Sequence, residues 1–318
     1  MSLYWAIQWR RNEGLGALFA VLVGFLVLYA ILFPGILSIG GAGRFVQNWF
    51  PMALVAVAQS IIMLTGGIDL SIGAMVGLGS VVAATTMGTT MGGAFGIAGG
   101  TVATLGMGAL VGTAVGVIVT IGRYPAIIVT LATSFIIGGA ALLILPRPGG
   151  FIPPELSEFL AGDHPTAVLL LILLILGWKF YQATPLGTAL IAVGDNPLGA
   201  YRSGVPTRIA RIFAYGLSGV LTAGAGLYVA AQTGSGDPVI GQPFTLAAIA
   251  AAVLGGVSFL GGQGTLRGAL AGSLLMSVLI NVMFFMNLPP VAQYVVQGLI
   301  IVITVALPRL KQMLRRIA

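Results

Sequence analysis

The sequence contains no cysteine. That removes disulfides, thiolate catalysis and thiol-ligated zinc or iron–sulfur centres, and leaves the redox compartment open. It contains one histidine, His164, next to Pro165. A single imidazole without thiols makes a poor transition-metal site and reads as a solvated loop residue. The phosphate-binding loop G-x-x-x-x-G-K-[ST], the H-E-x-x-H zinc motif and the nucleophile elbow are all missing. An enzyme is therefore a poor reading. Charge is scarcest of all: 7% of 318 residues, against about 25% in an ordinary soluble domain. A water-soluble fold with so few charges could not cover its surface.

What is abundant is apolar. Hydrophobic residues make up 58% of the chain, and 48 glycines sit inside the apolar runs without a collagen period, as in closely packed transmembrane helices. A bilayer core takes about 20 apolar residues as a helix. Ten stretches qualify: 15–37, 47–64, 72–90, 93–122, 125–145, 165–181, 212–231, 246–260, 265–286 and 290–307. The first ends without a small-residue cleavage pattern and reads as a retained span. The expected fold class is all-α, a polytopic transmembrane bundle of eight to ten spans in a single domain, 1–318, with some helices broken.

With the N-terminus in the cytoplasm, ten crossings return the C-terminus there. The inside segments then hold Arg10, Arg11, Arg123, Lys179, Arg202, Arg208, Arg211, Arg267, Arg309, Lys311, Arg315 and Arg316, leaving Arg44 and Arg147 outside. The outside loops hold Glu155, Glu158, Asp163 and Asp237. This is the positive-inside pattern. It accounts for the net charge of +7 without a nucleic-acid partner.

Two spans look interrupted, at Thr65-Gly66-Gly67-Ile68-Asp69-Leu70-Ser71 and at Gly255-Gly256-Val257-Ser258. The spacing of Gly66, Gly67 and Gly73 repeats in Gly255, Gly256 and Gly262, which suggests a diverged internal duplication. Non-helical backbone at membrane depth persists only where protein or a water-filled cavity satisfies it, and paired breaks point to a transport path. Tight turns at the membrane edge are the alternative. Asp69 is the one acidic residue beside a break; it reads as an N-cap for the following helix, with ion or solute binding as the competing role. Glycines repeat every four residues at Gly92, Gly96 and Gly100, at Gly108, Gly112 and Gly116, and at Gly264, Gly268 and Gly272. Each set lies on one helix face and suits close packing inside one subunit.

Polar side chains inside spans are few: Gln59 and Ser60, then Ser277 with Asn281 and Gln293 with Gln297, each pair four residues apart. They suit a neutral hydroxylated solute, and equally interhelical hydrogen bonds. The inside segment 182–211 is too polar to span and too short for a soluble domain. Within it Asn196 is a favoured N-cap, Pro197 fits the first helical position and Gly204 fits the residue after the C-cap. This predicts a helix over 197–203, with Thr207 capping the next one. Two turns need a partner surface to persist, so the segment reads as a docking element, against the plainer reading of a lateral helix.

Three blocks carry a family resemblance: Leu64-Thr65-Gly66-Gly67-Ile68-Asp69-Leu70-Ser71-Ile72-Gly73; Thr184-Pro185-Leu186-Gly187 through Ala192-Val193-Gly194-Asp195-Asn196 to Ser203-Gly204-Val205; and Ala248 to Gly256, continuing through Gly261-Gly262-Gln263-Gly264-Thr265. In this order the chain resembles the membrane permeases of bacterial monosaccharide ABC importers, the ribose, xylose, arabinose and galactofuranose type. The resemblance implies a multi-pass protein of the bacterial inner membrane that works with a second permease chain, identical or related. It implies two cytoplasmic ATPase subunits that carry ATP and magnesium, none being held by this chain, and a periplasmic solute-binding protein that meets the outside loops. It places Gly194, Asp195, Asn196, Pro197, Ala200 and Gly204 in ATPase coupling, with Gly194 at the loop glycine that meets the ATPase. A branched-chain amino-acid permease of similar architecture is the runner-up; a secondary carrier and an ungated channel are the readings from other classes. The identity of the solute is left open.

Overall fold

The structure is a computed structural model that describes residues 19–89 and 93–317. Arg10, Arg11, Gly92 and the first residues of the earliest expected span lie outside the described residues. The described chain is helical, with one isolated β-bridge between Gly149 and Gly236 and no strand. In chain order the helices are α1 (Phe19–Leu32), α2 (Ile39–Leu64), α3 (Ile72–Thr89), α4 (Ala94–Ile121), α5 (Ala126–Ile144), α6 (Pro154–Ala161), α7 (Thr166–Ala183), α8 (Pro185–Asp195), α9 (Pro197–Arg202), α10 (Thr207–Thr233), α11 (Gln242–Leu254), α12 (Leu266–Phe285) and α13 (Pro290–Ile317). A short 3-10 turn, Pro34–Leu37, joins α1 to α2. Six of them, α2, α4, α5, α7, α10 and α12, are long and apolar enough to cross a membrane. Each of the ten expected spans coincides with a helix.

Boundaries differ where a cap or glycine overrides hydropathy. α2 begins at Ile39, well before the expected 47, because the Ser38 side chain accepts from the Gly41 N–H at 3.0 Å and starts the helix in a polar, Gly-rich stretch. α10 begins at Thr207, not near 212; Pro206 precedes it, and Thr207 lies in the first turn without capping it. α11 stops at Leu254 instead of reaching 260, because Gly256 adopts φ +79°.

Contacts between distant segments sort the loops into two ends. At one end the Gly262 N–H donates to the Leu64 carbonyl at 3.0 Å. At the other, Gly149 and Gly236 exchange backbone hydrogen bonds of 2.9 and 2.7 Å, the Gln47 side chain donates to the Gly162 carbonyl, and the Tyr228 hydroxyl donates to the Leu160 carbonyl at 3.0 Å. Every one of these joins loops expected on the same side of the membrane. α6 packs Leu156 and Leu160 inward and leaves Glu155, Glu158 and Phe159 exposed at the outer end.

The core depends on backbones in near contact. A Cβ on Gly108, Gly112 or Gly116 of α4 would run into Gly219, Tyr215 or Ile212 of α10. A Cβ on Gly268 or Gly272 of α12 would collide with the Gly255 or Ala251 carbonyls at the end of α11. Both glycine sets therefore seat helices within one subunit, and α4–α10 is the most extensive helix pair. Gly100 instead makes room for the Met87 side chain of α3.

The two ends of the bundle give a test of the expected sidedness that the cysteine-free parent makes clean. Glu158 and Ser203 are exposed at opposite ends of the bundle. Cysteines placed at each are expected to react with a membrane-impermeant maleimide only from the outer and only from the cytoplasmic face of sealed cells. Labelling of both from one face would overturn the topology.

Candidate solute path and coupling junction

Three chain segments meet at the end of the bundle expected to face the cytoplasm: the end of α2, the end of α8 and the turn after α11. A Cβ on Gly194 would overlap the Leu64 carbonyl oxygen and the Gly262 amide. One on Gly261 would lie 2.9 Å from both the Gly194 carbonyl oxygen and the Gly66 amide, and one on Gly262 would lie 2.6 Å from the Asp195 Cα. With the Leu64–Gly262 hydrogen bond, this makes a junction in which three backbones touch without side chains between them. Gly194 is buried inside it, so it meets the bundle and not the cytoplasm.

From Gly194 the chain turns outward. The Asn196 side chain accepts from the Gly199 N–H at 2.8 Å, capping α9. α9 ends one residue earlier than expected, with Ser203 as its C-cap. Gly204, at φ +79°, closes it: the Val205 N–H reaches the Ala200 carbonyl and the Gly204 N–H the Tyr201 carbonyl, both at 3.0 Å. This is a Schellman ending, where glycine takes the left-handed conformation at least cost. Asp195, Asn196, Pro197 and Gly204 are exposed. Ala200 is not: at 7% exposure it faces the bundle, while Leu198 and Tyr201 stand out at 59% and 68%. Sequence reasoning chose Ala200 for the outer contact and missed Leu198 and Tyr201. Helical spacing from Ala200 to the apolar bundle was the signal available.

The two Gly-Gly stretches share a backbone motif in a register one residue away from their spacing in sequence. α2 ends with Gly67 N–H to the Ile62 carbonyl and Gly66 N–H to the Met63 carbonyl; α11 ends with Val257 N–H to the Ala252 carbonyl and Gly256 N–H to the Val253 carbonyl. The left-handed residues are Gly66 (φ +81°) and Gly256 (φ +79°), so Gly66 corresponds to Gly256 and not to Gly255. Beyond the motif the paths diverge. After Gly256 the chain makes a turn beside α8 at the cytoplasmic end, leaving Leu260 exposed. After Gly66 it runs extended and largely buried, with Gly67 beside Ala126 at the start of α5 and Leu70 beside Thr130 a turn further in. Gly67 is required for space, since a Cβ there would lie 2.8 Å from the Tyr215 hydroxyl oxygen. Gly255 seats α11 on Gly268 of α12.

Buried extended backbone needs partners for its polar groups, and side chains supply them here. Thr130 Oγ1 accepts from the Leu70 N–H at 3.1 Å and donates to the Ile68 carbonyl at 3.2 Å. Asp69 Oδ1 accepts from the Ser71 N–H at 2.7 Å and from the Ser71 hydroxyl at 2.6 Å. Asp69 is thus not the N-cap expected of it. The Ser71 carbonyl already accepts from Met75 at 2.8 Å, so Ser71 begins the helix and Asp69, 7% exposed, braces the chain two residues earlier. Its carboxylate still lies at the positive end of α3. The start of α3 meets the start of α11: the Gly73 N–H donates to Thr245 Oγ1 at 3.0 Å, and Cβ atoms on Gly73 and Gly241 would each strike the other backbone. Neither Thr130 nor Thr245 had any signal in sequence.

The polar candidates separate into two kinds. Asn281 is half-buried and its amide donates to the Ser277 carbonyl at 3.0 Å, within α12; Ser277 itself is buried, and Gln293 is half-buried. Gln59 and Gln297 are different. Both are 0% exposed, and neither the amide nitrogen nor the amide oxygen of either finds a protein partner among the described residues. A buried polar group left unpaired costs about 1–3 kcal/mol, so two complete amides in this condition call for a reason.

Residues 43–305 match the model of a family described as branched-chain amino acid transport system / permease component. The chain belongs to that family. It is a multi-pass membrane permease, one component of a transport system. Among its relatives, the ribose import permease protein of Escherichia coli is 31% identical over 303 residues, covering 92% of this chain and 93% of that protein. The autoinducer 2 import system permease protein of Yersinia pestis is 34% identical over 258 residues, covering 79% and 72% respectively. The likeness to monosaccharide-type importer permeases drawn from the three sequence blocks therefore stands, and the family description does not displace it. No solved structure matches the chain.

The permease junction yields a paired prediction. Gly194→Leu is expected to separate the three backbones and abolish transport or assembly, measured as uptake per assembled complex. Asp69→Asn keeps an oxygen acceptor for Ser71 and should leave uptake within about fivefold, since a single neutral hydrogen bond contributes only about 1 kcal/mol. Complete loss in Asp69→Asn at normal expression would mean that the charge itself is used.

Proposed function

We propose that the chain is the permease subunit of an ATP-driven importer in a bacterial inner membrane, carrying a sugar or a sugar-like neutral solute. The observation that supports this best is the junction at Gly194. α9 presents Leu198 and Tyr201 to the cytoplasm, while the neighbouring end of α8 touches the end of α2 and the turn after α11 through backbone alone. A force applied to α9 reaches α2 directly and α11 through the turn that follows it. ATPase subunits holding ATP and magnesium supply that force in this reading, and a second permease chain completes the path. The exposed Glu155 and Glu158 of α6 meet basic residues on a periplasmic binding protein, steering encounter more than adding affinity. The solute class follows the two relatives and the uncharged amide and hydroxyl groups in the spans.

The test uses the complex co-purified with its ATPase subunits and binding protein and reconstituted in vesicles. Uptake of radiolabelled ribose, xylose, arabinose or galactose is expected to require ATP. Leu198→Asp with Tyr201→Asp should leave the permease folded but strip the ATPase subunits from it. Ala200→Trp should unseat α9 from the bundle and disturb coupling from the other side. Uptake driven by an ion gradient without ATP, uptake of leucine but no sugar, or full ATPase retention in the double variant would each count against the reading.

A further inference from the structure

We propose that Gln59 and Gln297 are the groups that contact the solute, and that α11 is the element that covers and uncovers them. The inference rests on the sugar-permease reading and names the site within it.

Both side chains belong to helices packed on α11. α13 packs on α11 more than on any other described helix, and α2 also lies against it. Ile301, one turn beyond Gln297, joins the apolar clusters that contain Ala247, Ala248, Ala250, Ala251 and Ala252 of α11. Gln59 shares its face of α2 with Val55 and Ala56, one turn earlier, and both join the cluster that contains Ala247, Ala248, Ala250 and Ala251 of α11. Two buried amides, each with donor and acceptor unpaired, therefore sit on two of the helices packed against α11.

α11 is a short element. At 13 residues it is about 20 Å long, short of a full crossing. Its buried side chains are mostly alanine, and its close seat on Gly268 and Gly272 makes it move together with α12. Non-helical chain bounds it on both sides, with left-handed glycines at Gly234 before it and at Gly256, Gly261 and Gly262 after it. Its cytoplasmic end is tied to the junction, where Gly262 meets Leu64 and Asp195. A displacement of α8 and α9 thus acts on α11, and a shift of α11 opens space beside both amides.

The chemistry fits a neutral polyhydroxylated solute. An amide offers donors and an acceptor, and a sugar hydroxyl can answer either. With no charge in the pair, an ion gains little there.

The experiment uses the whole complex with ATPase and binding protein. Gln59→Met and Gln297→Met keep the length of the side chain and remove the amide. Both are expected to assemble and to keep hydrolysis stimulated by loaded binding protein, while sugar uptake falls about tenfold or more. Gln59→Asn and Gln297→Asn should recover part of it. Independently, Gln59→Cys and Gln297→Cys should resist a small permeant thiol reagent at rest, react during ATP-driven turnover, and be protected by the transported sugar. Wild-type rates in both Met variants, or cysteines that stay unreactive while uptake proceeds, would overturn the assignment and leave the permease reading standing. If the wild-type complex takes up none of the four sugars, the functional reading itself falls, and this assignment with it.

Discussion

Everything in this bundle depends on backbones approaching one another where a Cβ is missing. The α4–α10 seam, the α11–α12 seam and the Gly194 junction use the same device. Between transmembrane helices the hydrophobic effect gives little discrimination, because lipid tails are as apolar as leucine; association comes from packing and hydrogen bonds. Small residues concentrate that packing where it counts. They also remove side-chain compliance, so a displacement at one backbone is passed to the next.

The glycines do two physically separate jobs, and only one is steric. Gly112 and Gly194 are needed for space; Gly204 and Gly256 have open space around them and are needed for their positive φ. The first kind joins elements into rigid units. The second kind ends helices and leaves short non-helical connections. α11 has the second kind at its flanks and the first kind along its contact with α12, which makes it one rigid unit with α12 between non-helical connections.

Much of this was legible beforehand. Hydropathy located ten of the eleven apolar helices among the described residues and missed α8, which is too short to look like a span; the four-residue glycine spacing marked the faces that pack. Asn196, Pro197 and Gly204 marked α9, because caps are local chemistry. What stayed hidden was tertiary. Nothing in the sequence near Leu70 announces Thr130 as its partner, and Gly194 looked like a surface loop residue until the ends of α2 and α11 closed over it. Asp69 was misassigned by a small margin: a residue two positions before a helix start can brace an extended chain as well as cap a helix, and only the ladder from Ser71 to Met75 distinguishes them. The glutamines were recognised as polar, but their lack of partners is a property of the packed state alone.

One helix bears on how the chain gets into the membrane at all. α2 carries Pro51 at its middle and Gln59 in its last two turns, and it is the most buried of the six long apolar helices, whereas α4 and α5 are largely exposed at the bundle surface. During synthesis α4 and α5 can wait in lipid for later partners. α2 exposes an unpaired amide and a missing backbone donor until α10, α11 and α12 arrive. Its surroundings come from segments made more than a hundred residues later, so the ribosome finishes most of the protein before the middle of the bundle has anything to be the middle of.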